Sequence, residues 1–357
     1  MPTAIVTGAG GLVGSESVDR LVELGFDVLA IDNDLRAQFF GDGASTKPQL
    51  RRLQDRHAGL RVSTDDIRDR TAVDRIFREA GAALELIVHA AAQPSHDWAA
   101  TDPHTDFSVN AVGTLNLLQA TRERAPRATF VFLSTNKVYG DTPNFLPLEE
   151  HETRLELPRE HEYFDGVTTS MSIDRSMHSL FGVSKAAADL MVQEYGRYFE
   201  IPTVCFRAGC LTGPNHSGAE QHGFLSYLMR CTVRGDRYTI YGYGGKQVRD
   251  NLHSRDLVEA IVAFHRSPSV AAVYNIGGGR RSNCSVLEAI AECEAVAGRP
   301  LNHVISGQAR SGDHRWWVSD LTAFRRDYPS WFPAYGTGEI LREIHDQNVE
   351  RWTAAAV

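Results

Sequence analysis

Apolar residues along the chain fall into two kinds of run. Thr3–Thr7, Asp27–Ile31, Leu60–Ser63, Leu84–His89 and Thr129–Ser134 are short, rich in Val, Ile and Leu, and lack a regular polar face. Strands covered on both sides have that composition. Between them, Leu12–Leu24, Gln49–His57, Arg70–Ala80 and Val109–Arg124 place apolar residues at helical spacing. Regular alternation of strand and helix predicts a doubly wound parallel sheet of the α/β class, because parallel neighbours need crossover helices. Further on, His178–Phe199, Arg255–His265 and Val286–Ala297 read as helices and Thr203–Arg207 as a strand.

The alternation breaks over residues 140–177, 208–222 and 300–335, where Pro, Gly, acids or aromatics interrupt it. We therefore expect a nucleotide-binding domain over 1–207 with an irregular excursion at 140–177. The remainder, 208–357, reads as a smaller discontinuous C-terminal α/β domain for substrate, with part of 241–275 returning to the first. Trp316, Trp317, Trp331 and Phe332 are expected to anchor that C-terminal part, since aromatics bury large areas.

Composition narrows the chemistry. The 357 residues carry 37 Lys and Arg against 45 Asp and Glu, a net charge of −8. A nucleic-acid partner would need a concentrated basic face, so none is expected. Any anionic ligand has to be held by local groups. Five cysteines form no Cys-x-x-Cys pair, and His161, His178, His222 and His253 lack metal-ligand spacing, so no metal is expected. With no basic leader and no apolar run near the ~20 residues that span a bilayer, the chain is expected in the cytoplasm and off the membrane.

Gly8, Gly11 and Gly14 lie between the first strand and the first helix. Such glycines let the backbone turn, approach a pyrophosphate and pack helix on strand, while the amides of Leu12 and Val13 at the helix start face the phosphates. Asp32, with Asn33, ends the second strand, where a carboxylate takes both ribose hydroxyls and repels a 2′-phosphate. NAD is therefore the expected cofactor. After the third strand, Asp66 with Ile67 either meets the adenine or caps the next helix, its place relative to Asp32 favouring adenine. Ala90, Ala91 and Ala92 give the cofactor room at the end of the fourth strand.

These motifs in this order resemble the extended short-chain dehydrogenase/reductase superfamily, whose core is a Rossmann-type fold, over nearly the whole chain. Residues 89–95 (HAAAQPS), Asn110 with VGTLNLL, residues 134–141 (STNKVYGD) and residues 245–250 (GKQVRD) look most like the CDP-paratose (CDP-tyvelose) 2-epimerase group. The resemblance implies a nucleotide-sugar epimerase that oxidises a sugar hydroxyl transiently and returns hydride to the opposite face. It implies that Thr135 bonds the reacting oxygen, that Asn110 belongs to the cofactor site, and that Lys185 binds the nicotinamide ribose while lowering the pKa of a nearby tyrosine base. It also implies a homodimer or higher homo-oligomer through the helices that contain Val109–Leu118 and Ala186–Tyr198.

One position departs from the pattern. The family motif Tyr-x-x-x-Lys reads here Phe181-Gly182-Val183-Ser184-Lys185, and a phenyl ring has no proton to exchange. Three readings follow: a base reassigned to Lys137, Tyr163 or His178; a binding protein without redox activity; or an introduced Tyr→Phe exchange. Asn136-Lys137 also replaces the Asp-Glu pair of the related 4,6-dehydratases, which disfavours loss of water. For a nucleoside diphosphate sugar, Arg249 and Lys246 are the expected diphosphate ligands, with Arg315 and Arg207 as weaker candidates. Gln93, Ser95, Asn136 and Asn215 are expected near the sugar, with His216 beside Asn215.

Overall fold

The five apolar runs of the N-terminal half all become strands of one sheet. The computed structural model describes residues 1–216, 223–308 and 312–354. His222, and Ser217 and Gly218 of the Asn215 loop, lie outside the described residues. Seven strands line up in the order Ala272–Ile276, Thr203–Ala208, Thr129–Thr135, Leu84–His89, Thr3–Thr7, Asp27–Ile31 and Arg61–Ser63. Thr3–Thr7 pairs in parallel with Asp27–Ile31 on one side and Leu84–His89 on the other. Strand order reverses there, so the strand ends at Thr7 and His89 flank a crevice at a topological switch point.

Helices Leu12–Glu23, Arg70–Ala80, Gly113–Arg124 and Leu180–Phe199 flank this sheet. Ile5, Leu29, Ile87, Leu117, Phe130, Phe132 and Val192 form one continuous core between them. Two helix boundaries differ from expectation for visible reasons. The run expected from Val109 begins as a π turn over Ser108–Val112, centred on the fully bonded Asn110. The run expected from His178 begins at Leu180, because the Ser179 hydroxyl caps it through the Gly182 amide.

Contacts divide the chain into two units. One comprises Met1–Val138, His178–Arg207 and Leu257–Tyr274; the other Tyr139–Met177, Ala208–Asp256 and Asn275–Val357. Residues 140–177 thus group with the second unit, and the returning segment is 257–274. In the second unit, Val248–His253 pairs with Asn283–Ser285, Trp316–Trp317 and Cys210–Thr212. Helices Phe224–Arg234, Val286–Ala297 and Thr337–Ala354 bury Leu228, Ile290, Ile340 and Ile344 in its core. Trp316, Trp317 and Trp331 are buried there, whereas Phe332 is 59% exposed. No described helix is long and apolar enough to cross a membrane.

Candidate active site

The glycine loop is shaped by close backbone approach. Gly8 has φ +67°, and a Cβ on it would lie 2.7 Å from the Ala91 amide nitrogen. A Cβ on Gly14 would lie 2.0 Å from the Gly8 carbonyl oxygen. Helix Leu12–Glu23 therefore seats directly on the turn, and its first amides, at Leu12 and Val13, have no intrahelical acceptor. This is a cradle for a pyrophosphate.

Asp32 is buried at the end of its strand. One oxygen accepts the Gly10 amide at 2.8 Å, and the other accepts the Asp34 amide and the Thr46 hydroxyl. These bonds hold the carboxylate against the glycine loop. The Asn33 side chain donates to Asp66, whose carboxyl is also gripped by Arg68. Partial burial pushes the Asp66 pKa up, but the Arg68 pairing outweighs it and holds the carboxyl below the usual range. Ile67 is buried, and Ala90, Ala91 and Ala92 are half-buried.

Thr135 ends its strand, and Asn136–Tyr139 continues as a 3₁₀ turn. The Thr135 hydroxyl accepts the Lys137 amide at 3.2 Å and faces the Asn136 side chain. Lys185 is buried, with Nζ donating to the Leu133 carbonyl at 2.7 Å and lying 4.1 Å from the centre of the Phe132 ring. Burial pushes its pKa down to about 8, against the attraction of Asp189. Phe181 lies one helical turn before Lys185 and is buried. His178 donates Nε2–H to the Val138 carbonyl at 2.8 Å. Tyr163, in the second unit, packs on His161.

A glycine turn at a helix start, a buried strand-end acid, and a strand-end threonine with a buried lysine all belong to one unit. The family model described as "NAD dependent epimerase/dehydratase family" matches residues 4–277. The chain belongs to that family. CDP-paratose 2-epimerase of Salmonella typhi is 27% identical over 360 residues, covering 98% of this chain and 99% of the relative. Human UDP-glucose 4-epimerase is 27% identical over 357 residues, covering 95% and 94%. The solved UDP-glucose 4-epimerase of Thermus thermophilus, in complex with NAD, has a TM-score of 0.76 at 24% identity, covering 99% of each chain. NAD is the cofactor of the family, and the residues of the first unit fit it.

Several residues expected at the site of this family member have other work. Gln93 is fully buried: its side chain donates to the Ser95 carbonyl and Asp106 and accepts the Ser95 amide. It shapes the loop, with both amide hydrogens already given to protein acceptors. Asn110 is likewise closed off, bonding Gln93 at both backbone atoms, Asp106 and Ser184. It ties the loop after Leu84–His89 to helix Leu180–Phe199. Ser95 caps helix His96–Thr101, and Asn136 is buried beside Thr135. Arg207 forms a buried two-pronged pair with Asp189, so it is a structural residue.

In the second unit, Arg249 is buried and meets Asp313 at 2.5 Å, and Lys246 meets Glu150 at 2.8 Å. The Arg315 guanidinium lies 5.8 Å from the centre of the Tyr243 ring. Asn215 is half-buried and His216 buried. Spacing in the sequence does not single out His96 and Ser179, which bond each other at 2.7 Å next to Phe181. The one signal for them is local: each stands at a helix start.

The lysine supplies a prediction. Catalysis that needs the Lys185 ammonium should fall about tenfold per pH unit once pH exceeds about 8, because the group is then losing its proton. In Lys185→Arg, which stays charged, that limb of the pH–rate profile should vanish. A limb that persists in the arginine variant assigns it to another group.

Proposed function

We propose that the chain is an NAD-dependent epimerase of nucleoside diphosphate sugars, of the CDP-paratose 2-epimerase kind. The observation that carries this is Thr135-Asn136-Lys137 at the strand end near Lys185, with no pair of carboxylates to eliminate water. Similarity along the full length of the Salmonella typhi enzyme supports it. NAD, when bound, would supply reversible acceptance of a hydride from a sugar carbon. The protein's residues do the rest. The Thr135 hydroxyl donates a hydrogen bond to the reacting oxygen, and the Lys185 ammonium holds the nicotinamide ribose and favours the alkoxide. Arg249, Lys246 and Arg315 take the diphosphate, which replaces Asp313 and Glu150 as the counter-charge of the first two. Asn215 and Ser95 serve the sugar.

Phe181 favours a second reading, in which the chain is a dehydratase or oxidoreductase with a different base, or binds sugar nucleotide without turnover. Incubation with CDP-, UDP- and dTDP-hexoses in D₂O separates the cases. The expected result is an epimer with no solvent deuterium at the inverted carbon. Deuterium in a product that has lost water identifies a dehydratase, and binding without any exchange identifies a non-catalytic protein. The proposal includes a homodimer through the helices that expose Val112, Leu115, Val183 and Leu190. A monomer mass by light scattering in the same samples removes that part.

A further inference from the structure

A cavity of about 740 Å³ opens in the second unit, within the size range of small-molecule sites. One wall is the turn at residues 278–281, after strand Ala272–Ile276; the other is residues 319–321 with helix Thr322–Asp327. Both walls hang on one carboxylate. Oδ2 of Asp250 accepts the Gly279 amide at 3.4 Å and the Ser319 amide at 2.9 Å. Gly279 has φ +55°, and a Cβ on it would lie 2.9 Å from Leu321 Cδ1, so the turn is packed onto the facing wall. In a chain of net charge −8, Arg280, Arg281, Arg325 and Arg326 meet here against only Asp165 and Asp320 in the lining. Two of these arginines are matched already: Arg280 pairs with Glu156 and stacks on Phe164, and Arg326 pairs with Asp327. Arg281 spends one N–H on the Ala334 carbonyl at 2.7 Å, and the Arg325 side chain has no partner among the described residues. Phe332, in the same lining, is 59% exposed and has no ring partner among the described residues.

We propose that this cavity is a binding site for a nucleoside diphosphate, additional to the residues that serve the cofactor and the sugar nucleotide. Each part of such a ligand finds its chemistry in the lining. Arg281 and Arg325 offer planar forks that grip phosphate oxygens in pairs. The open face of Phe332 stacks on the base, a contact that every base permits. Asp165 is exposed, has no partner among the described residues, and accepts the ribose hydroxyls. Asp320 is not in competition for the guanidinium groups, because its oxygens accept the Thr322 amide and hydroxyl. Simpler occupants fit worse. A bare phosphate leaves Phe332 without a partner and meets the like charge of Asp165, and an apolar molecule gives the arginines no counter-charge. None of Arg249, Lys246, Arg315, Asn215 and Ser95 lines the cavity, so the inference stands apart from the epimerase reading.

Fluorine NMR of the full chain, labelled with fluorophenylalanine and carrying NAD, reads the site at Phe332, whose signal is assigned by its loss in Phe332→Leu. ADP, CDP and UDP are titrated in turn, with inorganic pyrophosphate for comparison. The Phe332 signal should move saturably with at least one of the nucleotides, at a Kd below about 1 mM. Pyrophosphate should bind at least about tenfold more weakly, since it has no ring to stack. Arg325→Ser should weaken the nucleotide at least about tenfold, because one of the two phosphate forks is gone. That side chain holds no other described residue, so the melting temperature of Arg325→Ser should equal the parent's. A Phe332 signal that none of the three nucleotides moves overturns the site. Pyrophosphate binding as tightly as the nucleotides overturns the nucleoside assignment. A shift that is undiminished in Arg325→Ser comes from binding elsewhere on the chain and overturns the proposal as well. Turnover enters none of these readings, so failure of the epimerase function leaves the test intact.

Discussion

Gly14→Ala should abolish NAD binding, with affinity reduced at least about 100-fold in a calorimetric titration, because the helix start that cradles the phosphates is displaced. The third residue of helix Leu12–Glu23 has no room for a methyl group. Its Cβ would stand 2.0 Å from the Gly8 carbonyl oxygen, 2.7 Å from the Gly8 carbonyl carbon and 2.8 Å from Ala9 Cα. All three are backbone atoms, so no rotamer change relieves the clash. The helix must back away, and the Leu12 and Val13 amides leave the phosphate position with it. Overpacking of this kind also costs about 1–3 kcal/mol of stability, so the melting temperature should drop in the same sample. Gly59→Ala is the matched control, because nothing lies within 4 Å of a Cβ there. NAD affinity within a few-fold of the parent in Gly14→Ala would show that the turn yields more easily than this packing implies.

That loop was legible in the sequence because its constraints are local. Gly8, Gly14 and the strand and helix beside them are close neighbours along the chain, and spacing alone reports such geometry. The buried strands were legible for a related reason: a segment covered on both faces must be apolar throughout. Polar side chains that meet across the fold leave no such trace. Gln93 and Asn110 read as ligand groups because they lie in stretches that carry the family resemblance. Here they satisfy each other and the buried Asp106, whose carboxyl burial pushes up in pKa. His96 and Ser179 are 83 positions apart and meet only because the loop after Leu84–His89 lies against the start of Leu180–Phe199. Arg249 and Lys246 were legible as cations, but not as cations already paired with Asp313 and Glu150.

Arg207→Met should cost about 3–5 kcal/mol of unfolding free energy in urea, the penalty typical of leaving one member of a buried ion pair alone. Arg207 and Asp189 bury almost all of both side chains, and two N–H groups grip the carboxylate, at 2.8 and 3.1 Å. Ser134 and Gln193 donate to the same carboxylate, at 2.5 and 2.7 Å. Without the guanidinium, Asp189 keeps two neutral donors for a full charge in a dry core, which is too few. Replacing both partners, as Arg207→Met with Asp189→Leu, should recover most of the loss, because neither member of the pair is left alone. A single variant within about 1 kcal/mol of the parent would mean that water reaches Asp189. The pair also tunes the active site. Asp189 is the foremost group opposing the burial that lowers the Lys185 pKa. Loss of Arg207 frees that negative charge to act on the ammonium, so the alkaline limb near pH 8 should move upward in Arg207→Met and downward in Asp189→Asn. Opposite shifts from the two halves of one ion pair would tie the strand Thr203–Ala208 to proton chemistry at Lys185, although Arg207 itself binds nothing.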